Sequence, residues 1–237
     1  MIKSSKQAGS KSTTLYCFTP MVTLMTFMIE GILGLMAMYR YRHTLFGKLA
    51  VWLIFFLAFF QISEYLVCGT SQFYPWSTIG WICITFLPAI GLHMTSLLTK
   101  KTWWVSFGYL MSLIFTIYFV SVGQPFSAVD CPGNFVHYIF ESALLGFIYP
   151  IYYAWFLLLA LVRLGGYYLQ GGPTKTIIGW FIGGYFSFMI PTTLVYIILP
   201  APLESFPSVF CGFAVLLALI MVVKILPAYE DLNKKNN

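Results

Sequence analysis

Long apolar runs separated by short polar gaps organise this chain. Seven runs, at about 20–39, 48–68, 77–98, 103–122, 137–162, 176–199 and 206–226, each reach the roughly 20 residues needed to cross a hydrocarbon core as a helix. They predict an all-α, polytopic membrane protein. Its seven transmembrane helices form a single bundle over residues 17–227, with a polar N-terminal tail at 1–16 and a short tail at 228–237. Thr19 and Pro20 read as N-cap and first-turn proline of the first helix, and Ser77 or Thr78 as the cap of the third. Pro88, Pro150 and Pro191 fall inside helices three, five and six. Each removes a backbone donor, which lipid tolerates only where a neighbour or a cavity takes up the freed carbonyl. Gly179 and Gly183 form a GxxxG pair suited to close helix packing.

Composition agrees with this pattern: at 59% hydrophobic and 8% charged over 237 residues, a water-soluble core of this size cannot hide the apolar surface, so lipid covers the remainder. A formal charge of +6 would suggest nucleic acid for a soluble chain. Here the cations flank apolar segments instead of forming a stripe, so the bilayer is the expected partner and nucleic acid is not. Ten of the 13 Lys and Arg residues lie in alternate gaps: Arg40, Arg42 and Lys48; Lys100 and Lys101; Arg163 and Lys175; Lys224, Lys234 and Lys235. The intervening gaps, 69–76, 123–136 and 200–205, hold none. The basic side is therefore cytoplasmic. With an odd number of helices, the N-terminus is expected outside and the C-terminus inside, in a plasma or inner membrane. Lys3, Lys6 and Lys11 oppose this orientation, but ten outweigh three.

Cys17, Cys68, Cys131 and Cys211 all fall at or beyond the outer helix ends, so two disulfides facing an oxidising compartment are expected. Four cysteines allow three pairings, and Cys68 with Cys131 is preferred because both flank outer loops. Cys83, inside helix three, reads as a packing thiol. Trp76, Trp81, Trp103, Trp104, Tyr152 and Tyr153 gather near helix ends and read as headgroup-level anchors.

Ionisable groups in spanning helices are the candidates for function. Glu30 lies ten residues before Arg40, about 15 Å from the cytoplasmic end; there a carboxylate is protonated, paired or in contact with water. Gln61 and Glu64 share a face of helix two with Cys68. His137 and Glu141, four apart, would share a face of helix five at the same outer depth. Glu64, His137 and Glu141 together could then line an outward-facing polar pocket suited to a divalent metal, a proton relay or an acid/base pair. A bland alternative is that all three merely join helices. His93, in the inner half of helix three, reads first as a helix-to-helix hydrogen bond.

Haem is not expected, because the three histidines lie at different depths. Retinal is not expected either: Lys224 lies at the end of the seventh segment, which contains no acid.

Cys17-Phe18-Thr19-Pro20, Gln61-Ile62-Ser63-Glu64-Tyr65 and Leu87-Pro88 resemble a pattern in a group of small multispanning microbial membrane proteins, with Cys-Phe-Ser before the first helix and Gln-x-x-Glu on the second. The resemblance covers roughly the first hundred residues. It implies the same bundle, draws attention to Cys17, Gln61 and Glu64, and supplies no activity. Three functions remain open: a transporter or sensor handling a small ligand or ion; a membrane-embedded enzyme, metal-assisted in one version, acting on a lipid or lipid-linked substrate; and an accessory subunit. A homo-oligomer or a partner membrane subunit fits the last of these.

Overall fold

A computed structural model describes residues 20–70, 73–123, 125–131, 136–198 and 203–236. The polar tail at 1–16, together with Cys17 and Thr19, lies outside them. The elements are α1 (Pro20–Tyr41), α2 (Leu45–Thr70), α3 (Phe73–Thr99), α4 (Trp103–Val122), β1 (Phe126–Asp130), β2 (His137–Phe140), α5 (Ala143–Gln170) and α6 (Lys175–Ile198). A 3-10 turn at Leu203–Ser205 leads into α7 (Phe206–Phe213) and α8 (Val215–Ile220), and a π turn at Met221–Ile225 joins α8 to α9 (Leu226–Asn236). Among the described residues seven helices are long and apolar enough to cross a membrane, the last of them spanning Phe206–Lys235. The chain is thus a multi-pass membrane protein.

α2, α3 and the last span are the inner helices; α1, α4, α5 and α6 are mostly outer ones, with less of their apolar length inside the bundle. α3 packs against α2, α4 and α5, and the last span closes the bundle by touching α1, α2 and α6. The outer helices turn apolar side chains outward, such as Leu113 and Ile117 of α4 and Leu144, Phe147 and Ile151 of α5. Apolar faces of that extent require a lipid solvent.

Small residues set the closest helix approaches, as expected where lipid removes most of the hydrophobic drive for association. A β-carbon on Gly80 would overlap Ser63 Oγ of α2, and one on Gly184 would lie 2.7 Å from Leu217 of α8. Of the anticipated Gly179/Gly183 pair, Gly179 lies close to Tyr168 of α5, where a β-carbon would come within 3.2 Å, whereas Gly183 has open space around it; Gly184 is the residue that seats α6 on the last span. Gly80→Val should overpack the α2–α3 contact, at about 1–3 kcal/mol, and be read as a lower unfolding midpoint; an unchanged midpoint would mean that the two helices do not approach as described.

Two boundaries differ from the sequence reading. α3 begins before Ser77 and Thr78, with Tyr74 (φ −96°, ψ 135°) still non-helical; neither residue is its cap, and Thr78 Oγ1 instead donates to the Gly123 carbonyl at 3.3 Å. The second is the assignment of 137–142 to helix five. This stretch contains β2, which pairs antiparallel with β1 (Val129 opposite Tyr138, Asp130 opposite His137). An aromatic and β-branched run suits a pleated strand as well as a helix. The C-terminal stretch placed in a tail continues as α9, where Glu230 and Lys234 form an ion pair at 2.7 Å.

Cys68 and Cys131 form a disulfide across 63 residues of sequence, tying the end of α2 to the exit of β1. Cys211 is a buried free thiol, as is Cys83; the second disulfide expected to use Cys211 is corrected accordingly.

Candidate functional site

The hairpin sits at the end of the bundle where α2 finishes and α5 and α7 begin, and it is fastened there twice. One fastening is the Cys68–Cys131 bridge. The other is a hydrogen-bonded chain in which Val136 N–H donates to Ser208 Oγ at 3.2 Å and the Ser208 hydroxyl donates to Glu64 Oε1. Strand alternation then turns Val136 and Tyr138 inward and His137 and Ile139 outward.

Tyr138 is buried, and its hydroxyl faces the Glu64 carboxyl without meeting hydrogen-bond geometry. Burial, reinforced by Glu64, pushes that hydroxyl well above its ordinary range, so it remains a neutral donor.

Under the hairpin lies a cavity of about 740 Å³, within the range that holds small organic ligands. Its walls are Tyr138, Ile139 and Phe140 of β2, the first half of α5 from Ala143 to Leu158, Met189 of α6, and Phe206, Phe210 and Cys211 of α7; Trp81 and Ile84 of α3 close its inner side. Ile139, Leu158 and Phe206 are exposed, so it opens sideways between α5 and α7 toward lipid. Glu204, also exposed, stands at its edge.

Two interior prolines bear on this cavity. Pro150 cannot donate to the Gly146 carbonyl, nor Pro88 to that of Ile84, and both Gly146 and Ile84 line it.

Trp81 is not a headgroup anchor as anticipated. It is 3% exposed and touches Phe119, Phe126, Tyr138, Phe140 and Tyr149 with ring centroids 4.7–6.1 Å away. Tyr152 is likewise internal: its hydroxyl donates to the Thr85 carbonyl at 2.7 Å and pairs with Ser112 at 2.8 Å, while Thr85 Oγ1 pairs with Tyr149 at 3.0 Å. Thr85 therefore links α3 to α4 and α5.

The anticipated polar pocket does not assemble as described. Glu64 is buried, whereas Glu141 follows β2 and is exposed and His137 lies on the outward side of the strand. Among the described residues no three His, Cys, Asp or Glu side chains group closely enough to hold a metal. His93 Nδ1 meets the Tyr109 hydroxyl of α4 at 3.2 Å, a helix-to-helix bond. Glu30 and Gln61 are buried, and both Glu30 carboxyl oxygens and Gln61 Nε2 lack hydrogen bonds among the described residues. The hairpin had a signal in Pro132-Gly133-Asn134 between two β-prone runs. Ser208 and Glu204 had none.

The fold and site define a seven-span integral membrane protein with a cavity beneath the hairpin, between α5 and α7. No protein-family model and no curated protein sequence matches the chain.

Proposed function

We propose that the protein takes up an amphiphilic, lipid-like molecule from the membrane into the cavity beneath the hairpin, as a small-ligand transporter or sensor. The observation that carries this reading is the cavity itself: about 740 Å³, aromatic and aliphatic on nearly every side, and edged by the exposed Ile139, Leu158 and Phe206 between α5 and α7. A chain or ring system fits the apolar walls. A donor-bearing head suits Glu204 at the edge and the carbonyls that Pro150 and Pro88 leave without helical partners. The orientation with the N-terminus outside puts this end on the non-cytoplasmic side. It is supported by the ten cations at the opposite gaps and by the Cys68–Cys131 bridge, which suits an oxidising compartment beyond a plasma or inner membrane.

Ala154 is an exposed residue of α5 that lines the cavity, so Ala154→Trp fills it without disturbing the packed core. Purified in detergent and examined by native mass spectrometry, the wild-type protein should retain a lipid-sized adduct. Ala154→Trp should lose it and bind a fluorescent acyl-chain probe at least about tenfold more weakly, a loss of about 1.4 kcal/mol. Equal retention and equal probe affinity in the two proteins would refute the reading.

A further inference from the structure

The last two turns of α5 gather cations from three elements. Arg163 does not lie in the polar gap beyond the helix but seven residues before its last residue, Gln170, about 10 Å inside the helix end. Its half-buried side chain reaches the α3–α4 turn, where Nη1 donates to the Lys101 carbonyl at 3.2 Å. Lys100, in the left-handed region at φ 55°, turns the chain there at the end of α3. Lys101 Nζ stands over the Tyr167 ring, 6.0 Å from its centroid, and Lys175 Nζ at the start of α6 stands over Tyr168 at 5.1 Å. Tyr167 is one helical turn beyond Arg163, so Lys101 and Arg163 share one side of α5, with Lys175 on the adjoining one.

Nothing on these elements neutralises the cations. The sequence holds no Asp or Glu from 65 to 129 or from 142 to 203, ranges that contain α3, α4, α5 and α6 in full. The acids at this end of the bundle are Glu230 and Asp231 of α9, and Glu230 is taken by Lys234 at 2.7 Å. Topology asks only for cations in the gaps; it does not ask Arg163 to sit within the helix and hold Lys101 beside it. A guanidinium carries five N–H donors in a planar fork, and the Lys101 carbonyl takes one. The rest, with the Lys101 ammonium, can hold a single anion between α5 and the α3–α4 turn. Beside them α5 exposes Trp155, Leu158, Val162 and Leu169, an apolar stripe at helical spacing.

We propose that Lys101 and Arg163, flanked by Lys175, dock the phosphate of an anionic phospholipid from the leaflet at this end of the bundle. Tyr167 and Tyr168 stand at the level where amphipathic rings meet headgroups, and the acyl chains follow the outward stripe of α5. A soluble phosphate compound would meet the same cations but gain nothing from that stripe. A zwitterionic head brings a positive charge to a place with no carboxylate to receive it. Basic pockets between spanning helices recognise anionic headgroups in this way. The bound lipid ties the α3–α4 turn to the ends of α5 and α6. The site lies at the opposite end of α5 from the cavity beneath the hairpin and does not rest on the ligand reading above.

The full chain, stripped of lipid in a neutral detergent, is titrated with phosphatidylglycerol or phosphatidylcholine of the same chain length, and bound lipid is counted by native mass spectrometry. Phosphatidylglycerol should bind at least about tenfold more tightly. Lys101→Gln keeps the backbone carbonyl that Arg163 holds and should weaken phosphatidylglycerol by about fivefold, the effect of one cation near the surface, while leaving phosphatidylcholine unchanged. Arg163→Gln should cost at least as much, and Arg163→Lys, which keeps the charge without the fork, should recover part of the loss. If Arg163→Gln does not fold, Lys101→Gln decides alone. Lys235→Gln on α9 removes the same charge from the same end and should change neither lipid. Equal affinity for the two lipids would overturn the proposal, as would an equal loss in Lys235→Gln, which would mean diffuse attraction to the whole basic end. Displacement of phosphatidylglycerol by an equal concentration of inorganic phosphate or glycerol phosphate would also overturn it, in favour of a soluble ligand.

Discussion

Replacing Cys68 and Cys131 together by serine lowers the stability of the folded bundle by about 2–4 kcal/mol, the typical contribution of a disulfide. The bridge closes a segment of 63 residues, for which loop-closure entropy in a free chain gives about 4 kcal/mol. α3 and α4 lie within that segment and stay inserted when the helices separate. The unfolded chain is thus already restricted, and the loss falls below that ceiling. The bridge is also one of two fastenings of the hairpin over the cavity, so the double variant should release bound acyl probe faster. Both effects are checked by thermal unfolding and probe dissociation with and without a reductant. The wild type should shift on reduction to the values of the double variant, and the variant should not respond. A wild-type midpoint that ignores reductant would mean that the bridge contributes nothing.

Trp81→Ala should cost a comparable or larger amount, about 3–5 kcal/mol. The indole N–H has no hydrogen-bond partner among the described residues, so the loss is one of packing. Five aromatic side chains from α4, α5 and the two strands surround the ring, and none can collapse into the space without moving its own element. In lipid the penalty comes from lost dispersion contacts and the void left behind, not from exposing apolar surface to water. Because Trp81 also closes the inner side of the cavity, the variant should accept a bulkier probe than the wild type. Trp81→Phe, keeping a ring, should recover much of the midpoint. If Trp81→Ala unfolded at the wild-type temperature, the aromatic cluster would not be holding the hairpin to the bundle.

The seven spans, the three interior prolines and the Cys68–Cys131 pairing were legible in the sequence because each is a local or near-local signal: run length, a residue type inside a run, a thiol at a helix end. The hairpin was not. Only Glu141 and Ser142 separate Tyr138, Ile139 and Phe140 from the apolar start of α5, and hydrophobicity alone cannot separate a short strand from the first turn of a helix. That misassignment put His137 and Glu141 on one helical face and produced a polar pocket that the strand geometry takes apart. Glu30 and Glu64 were found because charge in a membrane span is rare; Ser208, which donates to Glu64, is an ordinary serine near the start of an apolar helix. Trp81 was misread because aromatic residues near a helix end serve the membrane boundary in most settings, and only the folded hairpin turns that end into an interior. The cavity involves four helices, a strand and a loop edge, a coincidence of tertiary packing that no spacing along the chain encodes.

A cryo-electron microscopy map of the protein in lipid nanodiscs, examined between α5 and α7 beneath the hairpin, bears on the proposed function without mutation. Elongated density along Phe210, Tyr153 and Leu157, with its head near Glu204, is the result that lipid uptake requires. A groove closed by direct contact of α5 with α7, with the hairpin in place and no room for a chain, would contradict it.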